Sequence, residues 1–233
     1  MNQQDGNEYK PSDERLVEKQ VIEKVGLISS ELAHDLRSPL QTIQNAIYLI
    51  ERKPENKELY EIVRQSLQHA TEILNNFRDY YKAHILQPLQ VDLIKVVDLA
   101  LSEIKIPENI EFKKEIDDIK QITIDPAKMA IVFRKLITNS IEAMPQGGLI
   151  TLKAQKKPDG IKITISDTGK GISPEIADII YTPFMSGKKH GYGLGIPTAK
   201  LIVESHGGDL SFTSKLGEAT VFTIWLPYSA VSL

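Results

Sequence analysis

Apolar residues recur at steps of four and three through the first part of the chain. Leu32, Leu36, Leu40, Ile43, Ile47 and Ile50 draw one stripe along a helix. The pattern predicts a helix from about Glu14 to Glu51, preceded by a flexible tail over residues 1–13. The stretch "RKPENKE", residues 52–58, interrupts it with Pro54 and a polar cluster. A second stripe follows: Leu59, Ile62, Val63, Leu67, Ala70, Ile73, Leu74, Phe77 and Tyr81. Two long helices joined by a short polar turn form an antiparallel hairpin. The far sides of their apolar stripes need cover, and a second copy of the hairpin supplies it as a four-helix bundle. A homodimer is therefore expected.

The pattern changes after Pro88. "VDLIKVVDLALSEI" reads as a helix, and "IEFKKEI" and "QITI" read as short strands. Asp125-Pro126 opens a further helix, "AKMAIVFRKLITNSIEAM". The carboxylate caps free amides there, and proline suits the first helical position. "GLITLKAQKK" and "GIKITISDTG" alternate as strands around a Pro-Asp-Gly turn. "SPEIADII" suggests a short helix. "GYGLGIPTAKLIVESHGG" combines a glycine-rich entry, a helix and a Gly-Gly stop. "DLSFTS" and "TVFTIWLP" close the chain as strands. The expected fold is thus a helical hairpin, residues 14–86, followed by an α/β sandwich with a mixed sheet, residues 87–233.

Composition narrows the function classes. The 233 residues are 41% hydrophobic, enough for a true core, and the net charge is only −3. That balance gives no reason to expect nucleic acid as a partner. The absence of cysteine excludes disulfides, thiolate nucleophiles and zinc–cysteine sites. The polar start "MNQQDGNEYKPSDER" lacks the apolar core of a signal peptide. No apolar run approaches the roughly 20 residues of a membrane helix. A cytoplasmic location is expected.

Four segments of the second half occur in a telling order: "FRKLITNSIEAM", "DTGKGI", "YTPFMSGKK" and "GYGLGI". They resemble the asparagine, first glycine, phenylalanine and second glycine boxes of sensor histidine kinases of two-component systems. "AHDLRSPL" resembles the phospho-acceptor histidine box of the same family. Five such motifs in order are a strong signal, and they cover residues of about 20 to 228.

The resemblance implies ATP and Mg²⁺ as cofactors and assigns roles. Asp167 would receive the amino group of adenine, because an ionised carboxylate only accepts hydrogen bonds. Gly169 and Gly171 would let the backbone approach the base. Asn139 would carry the Mg²⁺ that bridges the phosphates, its amide oxygen being a hard ligand. Gly191, Gly193 and Gly195 open a helix whose amides attract phosphate. Lys188 falls on the family's lid lysine, and Phe184 would anchor that lid. Gly217 and Thr220 match a third glycine box, in which Ala219 replaces a usual glycine. The chain departs from the family at Lys135, where a second asparagine is usual; an ammonium there would neutralise phosphate instead of binding metal.

His34 is the implied nucleophile, since one imidazole nitrogen carries a lone pair at neutral pH. The resemblance places Asp35 as acceptor of the proton on the other nitrogen. Pro39 removes a helix hydrogen bond to the Asp35 carbonyl and is expected to bend the helix. Ser38 stands where the family often has threonine or asparagine. His69, His84 and His206 show no metal-ligand spacing. The implied activity is ATP-dependent phosphorylation of His34, with transfer to an aspartate on a response-regulator receiver domain. A separate sensor protein, or a sensor domain absent from this chain, would supply the stimulus. The competing readings are an ATP hydrolase of the related gyrase and mismatch-repair fold and a non-catalytic nucleotide-binding scaffold. The hydrolase needs a water-activating glutamate where this chain has Lys135.

Overall fold

The computed structural model describes residues 11–119, 121–185 and 192–228. It divides into two compact units, Met1–Leu74 and Asn75–Leu233.

The first unit consists of helix α1 (Pro11–Ile50) and the larger part of helix α2 (Lys57–Tyr81). Helix α1 begins at Pro11 rather than at the expected Glu14, so residues 11–13 are helical and not tail. Proline tolerates that first position because its missing N–H has no helical acceptor there. Residues 1–10 of the expected tail lie outside the described residues. Pro39 sits inside α1, which continues as helix on both sides of it. The connecting turn is closed by the Lys53 amide on the Leu49 carbonyl (3.0 Å) and the Asn56 amide on the Lys53 carbonyl (3.2 Å). Asn56 then caps α2, its side-chain oxygen accepting the Glu58 N–H at 3.0 Å. Ala46, Leu59 and Ala70 are buried, while Leu40, Ile47, Ile62, Leu67 and Leu74 of the same stripes are exposed. The apolar faces are thus only partly covered by the hairpin itself.

The second unit is a layer of helices on a mixed sheet. After the last turns of α2 come β1 (Leu89–Val91), α3 (Leu93–Ser102), β2 (Ile110–Ile116) and β3 (Ile122–Ile124). Helix α4 (Pro126–Ala143), β4 (Gly148–Lys157), β5 (Gly160–Asp167) and the single-turn α5 (Pro174–Ala177) follow. Helix α6 (Gly195–Ser205), β6 (Asp209–Lys215) and β7 (Ala219–Pro227) complete it. The main sheet has the order β2-β4-β5-β7-β6, with β2 and β4 parallel and every other pair antiparallel. Strands β1 and β3 form a separate antiparallel pair.

Alternation on β4 and β5 buries Ile150, Leu152 and Ala154, and Ile161, Ile163 and Ile165, on one face. Helices α3, α4 and α6 supply the opposite layer, with Val97, Phe133, Leu136, Ile137 and Ile202 among its fully buried residues. Two local devices hold α4 in place. Asp125 caps it as its sequence predicts, accepting the Lys128 N–H at 3.0 Å, while its second oxygen accepts the Gln87 N–H at 2.7 Å. His206, fully buried at the end of α6, accepts the Asp125 N–H on Nε2 (2.9 Å), and its Nδ1 donates to the Ile202 carbonyl (2.7 Å). Burial holds the His206 pKa below its ordinary value, against the opposing pull of the Ile202 carbonyl and the Asp125 charge. The neutral ring is what this double bond requires.

Candidate functional site

Asp167 ends β5 and is 4% exposed. Its Oδ2 accepts the Ser140 hydroxyl at 2.9 Å, and its Oδ1 accepts the Gly169 N–H at 3.0 Å. Burial raises its pKa, and the Gly169 and Ser140 hydrogen bonds partly offset that rise. Thr220 lies directly across the sheet in register with Asp167 and shares a 3.0 Å hydroxyl contact with Ser214. The carboxylate thus joins α4, through Ser140, to the end of β5, with β7 paired alongside at Thr220. Each carboxylate oxygen keeps a further lone pair for a ligand donor.

The glycines beside Asp167 are required first by packing. Gly171 has φ +68°, and a Cβ there would stand 2.1 Å from the Lys215 carbonyl oxygen. A Cβ on Gly169 would stand 2.8 Å from the Ala143 Cβ. The turn after β5 thus lies tightly between the end of α4 and the β6–β7 turn, whose Gly217 N–H donates to the Lys170 carbonyl at 2.7 Å.

Asn139 precedes Ser140 on α4 and faces the start of α6: a Cβ on Gly195 would be 3.9 Å from Asn139 Nδ2. Leu194, at the cap of α6, offers no side-chain acceptor to the first amides of that helix. Those amides and the Asn139 side chain make a setting that fits a phosphate with a hard cation: partial positive charge at a helix start beside an amide oxygen donor. Among the described residues there is no cluster of three or more His, Asp or Glu that could hold a metal. A cation here would rely on one protein group, phosphate and water, which is the habit of Mg²⁺.

Of the three glycines expected to open α6, Gly195 is its first residue. Gly193 precedes it with φ +62°, its missing Cβ leaving room for the Met185 backbone at 2.5 Å. The Phe184 N–H donates to the Gly193 carbonyl at 3.2 Å, so residues 184 and 193 close the base of the intervening segment. Gly191 and Lys188 lie outside the described residues, as do Lys189 and His190. Phe184 has φ +64°, and its ring lies 5.9 Å from Phe77 and 6.2 Å from Tyr80 on the last turns of α2. No local sequence signal marks a left-handed phenylalanine.

Lys135 lies one turn before Asn139 on α4. Its ammonium donates to the Asn76 side-chain oxygen at 2.6 Å. Ser140 is the residue that sequence reasoning missed at the site; its only signal was adjacency to Asn139.

In the first unit, His34 projects from α1 with its side chain 76% exposed. Its Nδ1 is 3.3 Å from Asp35 Oδ1, although neighbours on a helix point in different directions. With Nδ1 engaged as donor, Nε2 carries the lone pair.

Two family models match the chain. Residues 25–84 match the His Kinase A (phospho-acceptor) domain. Residues 124–230 match the Histidine kinase-, DNA gyrase B-, and HSP90-like ATPase. The sensor histidine kinase ZraS of Escherichia coli K12 is 30% identical over 217 residues, 90% of this chain and 47% of ZraS. Sporulation kinase C of Bacillus subtilis 168 is 30% identical over 230 residues, 94% of this chain and 53% of that protein. The chain spans about half the length of these curated relatives. Among solved structures, histidine kinase ThkA in complex with response regulator protein TrrA has a TM-score of 0.73 and 22% identity. That match covers 97% of this chain and 69% of ThkA, and it shows the shared fold. Phospho-acceptor and ATPase domains follow one another in a single chain, in the order of the five motifs, and the chain belongs to the histidine kinase family.

Proposed function

We propose that this chain is an ATP-dependent protein-histidine kinase core that phosphorylates His34 and passes the phosphoryl group to an aspartate of a response-regulator receiver domain. The observation that carries the reading is the exposed imidazole with Nδ1 beside Asp35, in a chain that also holds a buried carboxylate at the end of β5. The two are the acceptor and the nucleotide anchor of one reaction.

Asp167 receives the adenine amino group, and Gly169, Gly171 and Thr220 shape its surroundings. Phosphates lie toward the start of α6, at Gly191, Gly193 and Gly195, with Lys188 among their partners. Asn139 would hold Mg²⁺, which when bound neutralises phosphate charge. The His34 Nε2 lone pair attacks the γ-phosphorus, and the bond from that phosphorus to the bridging oxygen breaks, releasing ADP. Asp35 stabilises the imidazolium and accepts the Nδ1 proton. Residues 14–86 act as the dimerisation and phosphotransfer domain and residues 87–233 as the catalytic domain. The exposed Leu40, Ile47 and Leu67 motivate the homodimer. The complex of ThkA with TrrA supports a receiver domain as partner. No helix among the described residues is long and apolar enough to cross a membrane, and we place this core on the cytoplasmic side.

The test is incubation with γ-labelled ATP and mapping of the labelled residue. Label should appear on His34 as an acid-labile, alkali-stable bond, up to about one group per subunit, because the nucleophile is consumed. His34→Gln should abolish it without weakening ATP binding. Steady phosphate release unchanged in His34→Gln would establish an ATP hydrolase instead.

A further inference from the structure

Lys135 stands where the family usually has asparagine, and its surroundings are not those of a solvated surface lysine. Among the described residues its ammonium donates to the Asn76 side-chain oxygen at 2.6 Å, a neutral partner. The carboxylate whose charge acts on it, Asp79, is 6% exposed and already shared by two guanidinium groups: Arg134 Nη2 at 3.6 Å and Arg78 Nη2 at 3.5 Å. Arg134 is in turn paired with Glu103 at the end of α3. The Lys135 ammonium is therefore held by a strong contact but is poorly neutralised. Its pKa falls to about 8, chiefly through burial, with Asp79 opposing and Arg134 adding to the fall.

Position makes this charge relevant to the nucleotide. Residues four apart lie on one face of a helix, so Lys135 and Asn139 are stacked along α4. Asn139 faces Gly195, where phosphate is placed. The flexible four-carbon stem of a lysine can swing its point charge between acceptors within such a span. A polyphosphate offers charged oxygens in place of one amide oxygen and a shared carboxylate, and charge-assisted bonds are roughly twice as strong as neutral ones.

We propose that Lys135 is a nucleotide-responsive pin: without nucleotide it fastens the last turns of α2 to α4 through Asn76, in the field of Asp79, and a bound nucleoside triphosphate draws its ammonium onto phosphate and loosens that attachment. The inference rests on the nucleotide reading of the site. It assigns this chain a phosphate contact not made by the usual asparagine, together with a competing partner inside the protein.

The experiment is backbone hydrogen exchange across residues 75–83 of the full chain, with and without a non-hydrolysable ATP analogue and Mg²⁺. In the wild type the analogue should raise exchange there about tenfold, the effect of losing one charge-assisted bond. In Lys135→Met exchange should already be raised without analogue and should not respond to it. The analogue should bind that variant about tenfold more weakly, for loss of one charged contact. A wild type that binds the analogue with unchanged exchange over 75–83 overturns the pin and leaves the nucleotide site standing. A wild type that does not bind the analogue overturns both. A folded Lys135→Met protein with wild-type exchange, or with the wild-type response to analogue, also overturns the pin. Should Lys135→Met fail to fold, the wild-type comparison still decides, with Lys135→Asn as the second variant.

Discussion

Replacing Asp167 by asparagine separates the two consequences of burying a carboxylate. The structure holds Asp167 by the Ser140 hydroxyl on Oδ2 and the Gly169 N–H on Oδ1. An asparagine can keep both partners: its oxygen accepts the Gly169 N–H, and its NH₂ donates to Ser140 Oγ, which is also an acceptor. The local fold should therefore persist. What changes is the face shown to the base, where an NH₂ donor meets the adenine amino donor. A hydrogen bond to a charged group contributes about 1.5–3 kcal/mol, so ATP binding should weaken about 10- to 150-fold. Stability should move the other way. Burial raises the Asp167 pKa, so the folded state holds this proton more tightly than the unfolded chain does. Stability contributed by the group therefore falls as pH rises from the unfolded value toward the raised folded one, and at neutral pH the ionised carboxylate opposes folding. Asp167→Asn should melt at the same temperature or higher while binding ATP more weakly. Titration calorimetry and thermal melting on the same samples check both arms. Equal ATP affinity would remove Asp167 from the site. A large loss of melting temperature would make it a structural residue.

Three further outcomes follow from the geometry. Gly171→Ala should destabilise by about 2 kcal/mol or more, from the left-handed backbone and the Cβ contact with the Lys215 carbonyl; Gly217→Ala, with φ +82° but open space, should cost about 1 kcal/mol, and equal losses in urea unfolding would refute the steric argument. His206 is buried neutral with a lowered pKa, so its contribution is complete above the unfolded value of about 6.5 and declines as pH falls below it; His206→Gln should flatten that slope in denaturation measured from pH 7 to 5.5. Leu67→Glu, at a position 52% exposed in the single chain, should convert a dimer to monomer in sedimentation, and an unchanged dimer would place the interface elsewhere.

The parts of the fold legible in the sequence were those fixed by local chemistry and period. The two helical stripes, the Asp125-Pro126 start of α4 and the alternation of β4 and β5 each depend on residues within a few positions of one another. Strand β1 was not legible, because the three residues Leu89–Val91 are too few for alternation to register and depend on pairing with β3. The motif residues of the candidate site could be named from sequence, but not what holds them. Ser140 reaches Asp167 across 27 positions and His206 reaches Asp125 across 81, and no local pattern encodes such contacts. In the motif Gly169 and Gly171 imply room for a base; in the fold they first make room for Ala143 and Lys215.

Lys135 was legible as a departure from the family and illegible as a contact, and α4 explains why the two belong together. Along this one helix Lys128 bonds the Lys82 carbonyl, and Arg134 and Lys135 engage Asp79 and Asn76. Asn139 and Ser140 then reach Gly195 and Asp167. The attachment points of the α2 segment and the groups around the candidate nucleotide site are thus successive turns of a single hydrogen-bonded rod, packed beneath by Phe133, Leu136 and Ile137. A close-packed helix does not deform smoothly between adjacent turns. A ligand that repositions Lys135 must therefore either carry α4 with it or release Asn76, and only the second leaves the core intact.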